Sequence, residues 1–322
     1  MKEPDDSNPL RDRLDSLPRE IQPARDLWPD IAARIEADPA PARVTPFRRY
    51  RLPLAIAAAL ALAATLNWLR PALSSGPSWA VFPLEGSPQL NRSAFTDRAW
   101  LREGGWLETD ANSIARLDVG AIGEVRLEPN SRLRLVKAST TDHRIELAQG
   151  KMSALIWAPP RLFFVQTPSA TAIDLGCSYN LAVDEKGAGT LEVTSGYVAL
   201  EHAGLESIIP AGLMCLTRPG IGPGTPFAAE ASAEFRAALD RFDTGDDGAA
   251  MQVADLAGEN DGITLWHLLA RVPDATRGRI FDTLARLHPP PPGVTRAGIL
   301  ARDADMRDRW GGELGLAAGL RP

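Results

Sequence analysis

Three hydrophobic periods follow one another along this chain, and each predicts a different kind of structure. In the first 51 residues, short apolar repeats stand in a background dense in charge of both signs. Leu27 or Trp28, Ile31 and Ile35 recur at helical spacing, and Leu10, Leu14 and Leu17 form a shorter pattern before them. Neither stretch is long enough to bury a core, because helices this short are marginal in water without a partner. The prolines between Asp38 and Pro46 read as a linker. Residues 1–51 are therefore expected to be a docking segment that orders on contact, with Leu27, Trp28, Ile31 and Ile35 as its face. An unstructured tail that only carries charge is the alternative.

From Leu52 to Leu69 the pattern is apolar and uncharged over 18 residues. As a helix it would be about 27 Å long, against a bilayer core of about 30 Å. Arg43, Arg48, Arg49 and Arg51 precede it, and only Arg70 follows before Arg92. That bias orients a spanning helix with the N-terminus in the cytoplasm. A cleaved leader and a buried Ala-rich helix are the competing readings.

After a spacer at 70–78, the period changes to two. Ala115, Leu117 and Val119 alternate with Arg116 and Asp118, and Leu133 and Leu135 alternate with Arg132 and Arg134. Leu191, Val193, Val198 and Leu200 continue the pattern, with Gly, Asn and Pro between the runs. Residues 79–218 are thus expected to be an antiparallel β domain, a sandwich or β-roll, dry on one face and wet on the other. The Pro/Gly stretch 219–227 reads as a linker. From Ala228 helical spacing returns in Phe235, Leu239 and Phe242, and again in Leu265, Trp266, Leu269, Ile280 and Leu284. The 228–322 region is expected to hold three to five short helices, interrupted at Pro289 to Pro292, with the last between Ala301 and Leu316.

Composition narrows the function. The chain has 322 residues and a formal net charge of -6, without a concentrated basic surface, which argues against nucleic acid as a direct partner. The strand charges leave no large apolar patch in prospect. The four histidines are scattered and no CxxC occurs, so no metal site and no cofactor is expected. No His is placed in sequence to activate Cys177, and no paired acid and base stand out, so an enzyme is not expected.

The β region resembles the FecR-type periplasmic domain. Ala115 to Ser131 carry its strand, glycine and strand unit, and Ile145 to Met152 its glycine turn. Phe164-Val165-Gln166-Thr167-Pro168 match its central strand, Thr190 to Val198 the next, and Ile209 to Gly212 the closing turn. The match covers about a third of the chain. The resemblance implies a single-pass inner-membrane regulator, with its C-terminus periplasmic. Its cytoplasmic segment would hold an extracytoplasmic-function sigma factor, and its outer domain would meet an outer-membrane or periplasmic protein. Asp26 to Pro29 also look like the short helix that precedes the anchor in some anti-sigma proteins. An envelope module that scaffolds other periplasmic proteins or cell-wall polymer is the second reading. Where the family has Gly-Thr, this chain has Gly176-Cys177. In an oxidising compartment Cys177 and Cys215 would either close a disulfide, stabilising by about 3–4 kcal/mol, or remain two buried thiols.

Overall fold

The computed structural model describes residues 28–36 and 77–316, which belong to two compact units, 1–70 and 71–322. In the first, helix α1 (Trp28–Glu36) is the described part. Among the described residues no helix is long and apolar enough to cross a membrane, and the 52–69 run lies outside them.

In the second unit, alternating strands build two sheets around one apolar core. One sheet runs β4 (Ala99–Arg102), β1 (Ser78–Glu85), β6 (Ile114–Val119), β7 (Gly123–Leu127), β9 (His143–Ile156), β12 (Ser178–Val183), β13 (Gly189–Ser195), β16 (Leu213–Arg218). The other runs β3 (Ser93–Ala94), β2 (Gln89–Leu90), β5 (Trp106–Glu108), β8 (Arg132–Ala138), β9, β10 (Phe163–Gln166), β11 (Thr171–Asp174), β14 (Tyr197–His202), β15 (Leu205–Pro210). The inward residues Leu107, Leu117, Val125, Leu133, Ile145, Val165 and Leu191 are fully buried between them. Each such side chain contributes about 1.5–3 kcal/mol by leaving water.

Strand β9 belongs to both sheets, and Gly150 is where it changes over. Its φ of +97° is a conformation that side chains resist, and a Cβ there would lie 2.4 Å from the Cα of Ser131. Ser131 locks this corner, its Oγ accepting from the Lys151 N–H at 2.8 Å. The chain then returns so that β10 runs parallel to the first half of β9, Phe163 opposite His143. The antiparallel expectation is corrected at this one pair; every other described pairing is antiparallel.

Residues 219–227, read from composition as a linker, are not one. Gly222 to Phe227 are buried, with β17 (Gly222–Pro223) and β18 (Phe227–Ala228) pairing to β16. Among the described residues the helical region holds six short α-helices rather than three to five: α2 (Ala233–Asp243), α3 (Ala249–Leu256), α4 (Gly262–Arg271), α5 (Asp274–Leu287), α6 (Arg296–Leu300) and α7 (Ala304–Glu313). The helix expected across 301–316 is α7, its start capped by the Asp303 side chain, and α6 before it is a separate helix capped by the Thr295 side chain. Its core includes Phe235, Leu265, Leu268, Ile280 and Trp310, and it extends onto Ile208 and Phe227 of the sheets. Helix α4 covers the edge of β15, where the Ile208 N–H donates to His267 Nε2 at 3.1 Å.

Candidate functional site

The sequence Trp28-Pro29-Asp30-Ile31-Ala32-Ala33-Arg34-Ile35-Glu36 forms α1, with proline in the first turn, where its missing N–H has no helical partner, and Arg34 in the last, where a cation suits the helix dipole. Trp28 is 69% exposed. Ile31 and Ile35 follow it by three and seven positions within the helix. Leu27 lies outside the described residues. A nine-residue helix with an exposed indole is suited to docking into another protein's groove and not to standing alone.

The two cysteines are not brought together. Both are free and buried. Cys215 lies opposite Leu191, which lies opposite Leu181, so Cys177, just before β12, is two strands away and four residues from Leu181. That offset is roughly 16 Å from strand spacing and rise, well beyond the Cα separation of about 7 Å that a disulfide spans. The disulfide expectation is corrected on that geometry. Cys177 Sγ instead donates to Asp174 Oδ2 at 2.6 Å, and Cys215 Sγ to the Gly224 carbonyl at 3.2 Å.

Asp174, Cys177 and Tyr179 form a buried polar cluster. Burial pushes the Asp174 carboxyl up to about 6, against hydrogen bonds from Cys177 and Gly176 that favour its charge. Burial, together with the neighbouring carboxylate, also raises the Cys177 thiol, so it stays protonated and is a poor nucleophile. The Tyr179 hydroxyl is buried without a hydrogen-bond partner. Among the described residues no group of three or more His, Cys, Asp or Glu could hold a metal ion.

On the outer face of the second sheet is an open groove of about 650 Å³. Phe164 and Ile173 line its floor, and Arg144 lies over the Phe164 ring at 4.2 Å. Arg161 reaches Glu201 at 3.6 Å and Glu206 at 3.8 Å, so its charges are matched within the protein.

Contrary to expectation, the β unit does present an apolar end. Trp157 is 61% exposed and Leu155 46%, beside half-buried Ile122 and exposed Pro159 and Pro160. The sequence signal was the run Trp157-Ala158-Pro159-Pro160, which breaks the alternation just after β9.

Residues 106–199, from β5 into β14, match the family model described as FecR protein. No curated protein matches the chain. Among solved structures, two crystal structures of "a putative anti-sigma factor" from Parabacteroides distasonis ATCC 8503, at 1.65 Å and 2.50 Å, are similar. Each is 14% identical with a TM-score of 0.33 and covers 41% of this chain. The matches span 63% and 62% of those chains, under two thirds of their length.

Proposed function

We propose that this chain, whose residues 106–199 are a FecR-type domain, is a single-pass membrane regulator of a sigma factor. The 52–69 run is its anchor, with the N-terminus in the cytoplasm and the β and helical regions outside in the periplasm. The carrying observation is that one chain joins a FecR-type domain to the docking helix α1 through an uncharged run of 18 residues. Helix α1 would engage the sigma factor through Trp28, Ile31 and Ile35, with Leu27 beside them. The outer domain would receive the signal from an outer-membrane or periplasmic protein.

The test is co-purification of the full chain from native membranes, beside a Trp28→Ala/Ile31→Ala double variant. Recovery of a sigma factor with the unaltered chain, and its loss with the variant, would support this reading and locate the face. If a correctly inserted chain recovers no sigma factor, the envelope-module reading takes its place.

A further inference from the structure

The apolar end of the first sheet lies where the chain enters the β unit. Val81, Leu117, Val125 and Ala154 sit side by side in one row across β1, β6, β7 and β9. Three residues further along each strand, in the same direction, are Ser78, Gly120, Ile122 and Trp157. Ser78 begins the unit's first strand, and eight residues, 70–77, separate it from the end of the apolar run. Such a tether spans at most about 28 Å fully extended, so this end is held near any membrane that 52–69 crosses.

The chemistry of this end suits a bilayer interface. The Trp157 indole N–H is satisfied internally by the Ala121 carbonyl at 3.0 Å, while most of the ring is exposed. Pro159 and Pro160 are exposed and carry no N–H, so the tip has fewer backbone donors to leave unpaired on entering lipid. Ala121, Ile122 and Leu155 add uncharged surface beside them. Among the strand charges, Asp118 and Glu124 share the outer-face row of Leu155, Glu124 directly opposite it and two residues back from Ile122 and Trp157, and Arg102 stands opposite Ser78. Aromatic rings at the boundary between headgroups and acyl chains are a general feature of proteins that rest on membranes.

We infer that the 120–122 turn and the 155–160 segment rest on the outer surface of the membrane that anchors the chain, with Trp157 at the lipid interface. The partner is a phospholipid surface, and the β unit is held against it instead of hanging free on its tether. A signal that lifts this end off the lipid would change the pull on the anchor, which gives the outer unit a mechanical route to α1. The inference rests on the reading of 52–69 as a spanning helix.

The experiment uses the full chain in phosphatidylcholine and phosphatidylglycerol vesicles, labelled with an environment-sensitive fluorophore at Ala121→Cys, with Pro159→Cys as a second site. Cys177 and Cys215 are buried and serve as the unlabelled background. Glu185→Cys, in the exposed turn at the far end of β12, and Ala58→Cys, inside the apolar run, are the controls. Expected are blue-shifted emission at 121 and 159 that spin-labelled lipid quenches, no quenching at 185, and strong quenching at 58. Trp157→Gln added to Ala121→Cys should lower the quenching at 121. Quenching at 58 with an aqueous spectrum at 121 and 159 overturns the inference alone. No quenching at 58 overturns the anchor and the inference with it. Blue-shifted emission that lipid does not quench means that protein covers the tip, and also overturns it.

Discussion

Arg271 and Asp243 face each other at 3.8 Å, each about one-tenth exposed, at the seam where the helices meet the sheets. Asp243 accepts from the Thr225 N–H and hydroxyl, both at 2.7 Å. Arg271 donates to Ser207 Oγ at 2.7 Å and to the Glu206 carbonyl at 3.1 Å. One ion pair therefore ties α2, α4, the β15 strand and the buried 222–227 stretch together. Burial raises Asp243 and lowers Arg271, and their mutual attraction opposes both shifts.

Removing one partner leaves the other charge buried and alone. Arg271→Met should cost about 3–5 kcal/mol, and Asp243→Asn a similar order. The double variant should lose clearly less than the sum, because neither charge is then stranded. Denaturant unfolding of all four proteins measures that coupling.

Asp174 makes stability depend on pH. Its carboxyl, held at about 6 against an ordinary 3.8, keeps a proton that the unfolded chain has released between those values. The native state then binds more protons, so stability falls as pH rises from about 4 to 6. The loss is roughly 3 kcal/mol at neutral pH from a shift of this size. Asp174→Asn can still accept from the Gly176 N–H and should flatten this slope. Unfolding midpoints of both proteins between pH 4 and 7 test it; an equal slope in the variant refutes the assignment.

Two glycines with the same sign of φ should respond differently to alanine. Gly212, at φ +84°, has nothing within 4 Å of an added Cβ, so Gly212→Ala should cost about 1–2 kcal/mol of backbone strain. Gly150→Ala adds a collision with the backbone of Ser131 at the corner where β9 changes sheets. It should cost at least about 3 kcal/mol, or prevent folding, as thermal melts of the two variants will show.

Trp310 is fully buried, stacked edge to face on Phe281 at 5.3 Å, and its indole N–H has no partner. Trp310→Phe removes that unpaired donor together with some volume and should change stability by less than about 1.5 kcal/mol. Trp310→Ala opens a cavity and should cost about 3–5 kcal/mol. Equal losses in chemical denaturation would show that the donor's burial is not penalised.

Much of this architecture was legible along the chain. Alternation at Ala115 to Val119 and Leu133 to Leu135 reports which face of a strand is dry, a local property set by the geometry of the extended backbone. Helical spacing at Phe235, Leu239 and Phe242 reports the buried stripe of α2 in the same way. The motifs between residues 106 and 199 were recognisable because turns and dry positions recur there in a set order.

What those periods cannot carry is which strand lies beside which. A period of two reads the same in an antiparallel hairpin and in the parallel β9–β10 pair, since both place alternate side chains on opposite faces. Gly222 to Phe227 look like a linker by composition, yet neighbours distant in sequence bury them and give their polar groups partners, as Thr225 does with Asp243 and Arg271. Cys177 and Cys215 are suggestive as a pair on the line of the sequence and are separated by the register of β12, β13 and β16. The exposure of Trp157 at the level of Ser78 depends on four strands aligning in one row. By itself the sequence determined the apolar run, the strands, the helices and their dry faces, because each of these is decided within a few residues. The tertiary structure alone decided the shared strand, the buried seam, the fate of the thiols and the apolar end beside the tether. Each of those depends on long-range pairing, in which a residue's surroundings are supplied by segments far from it in the chain.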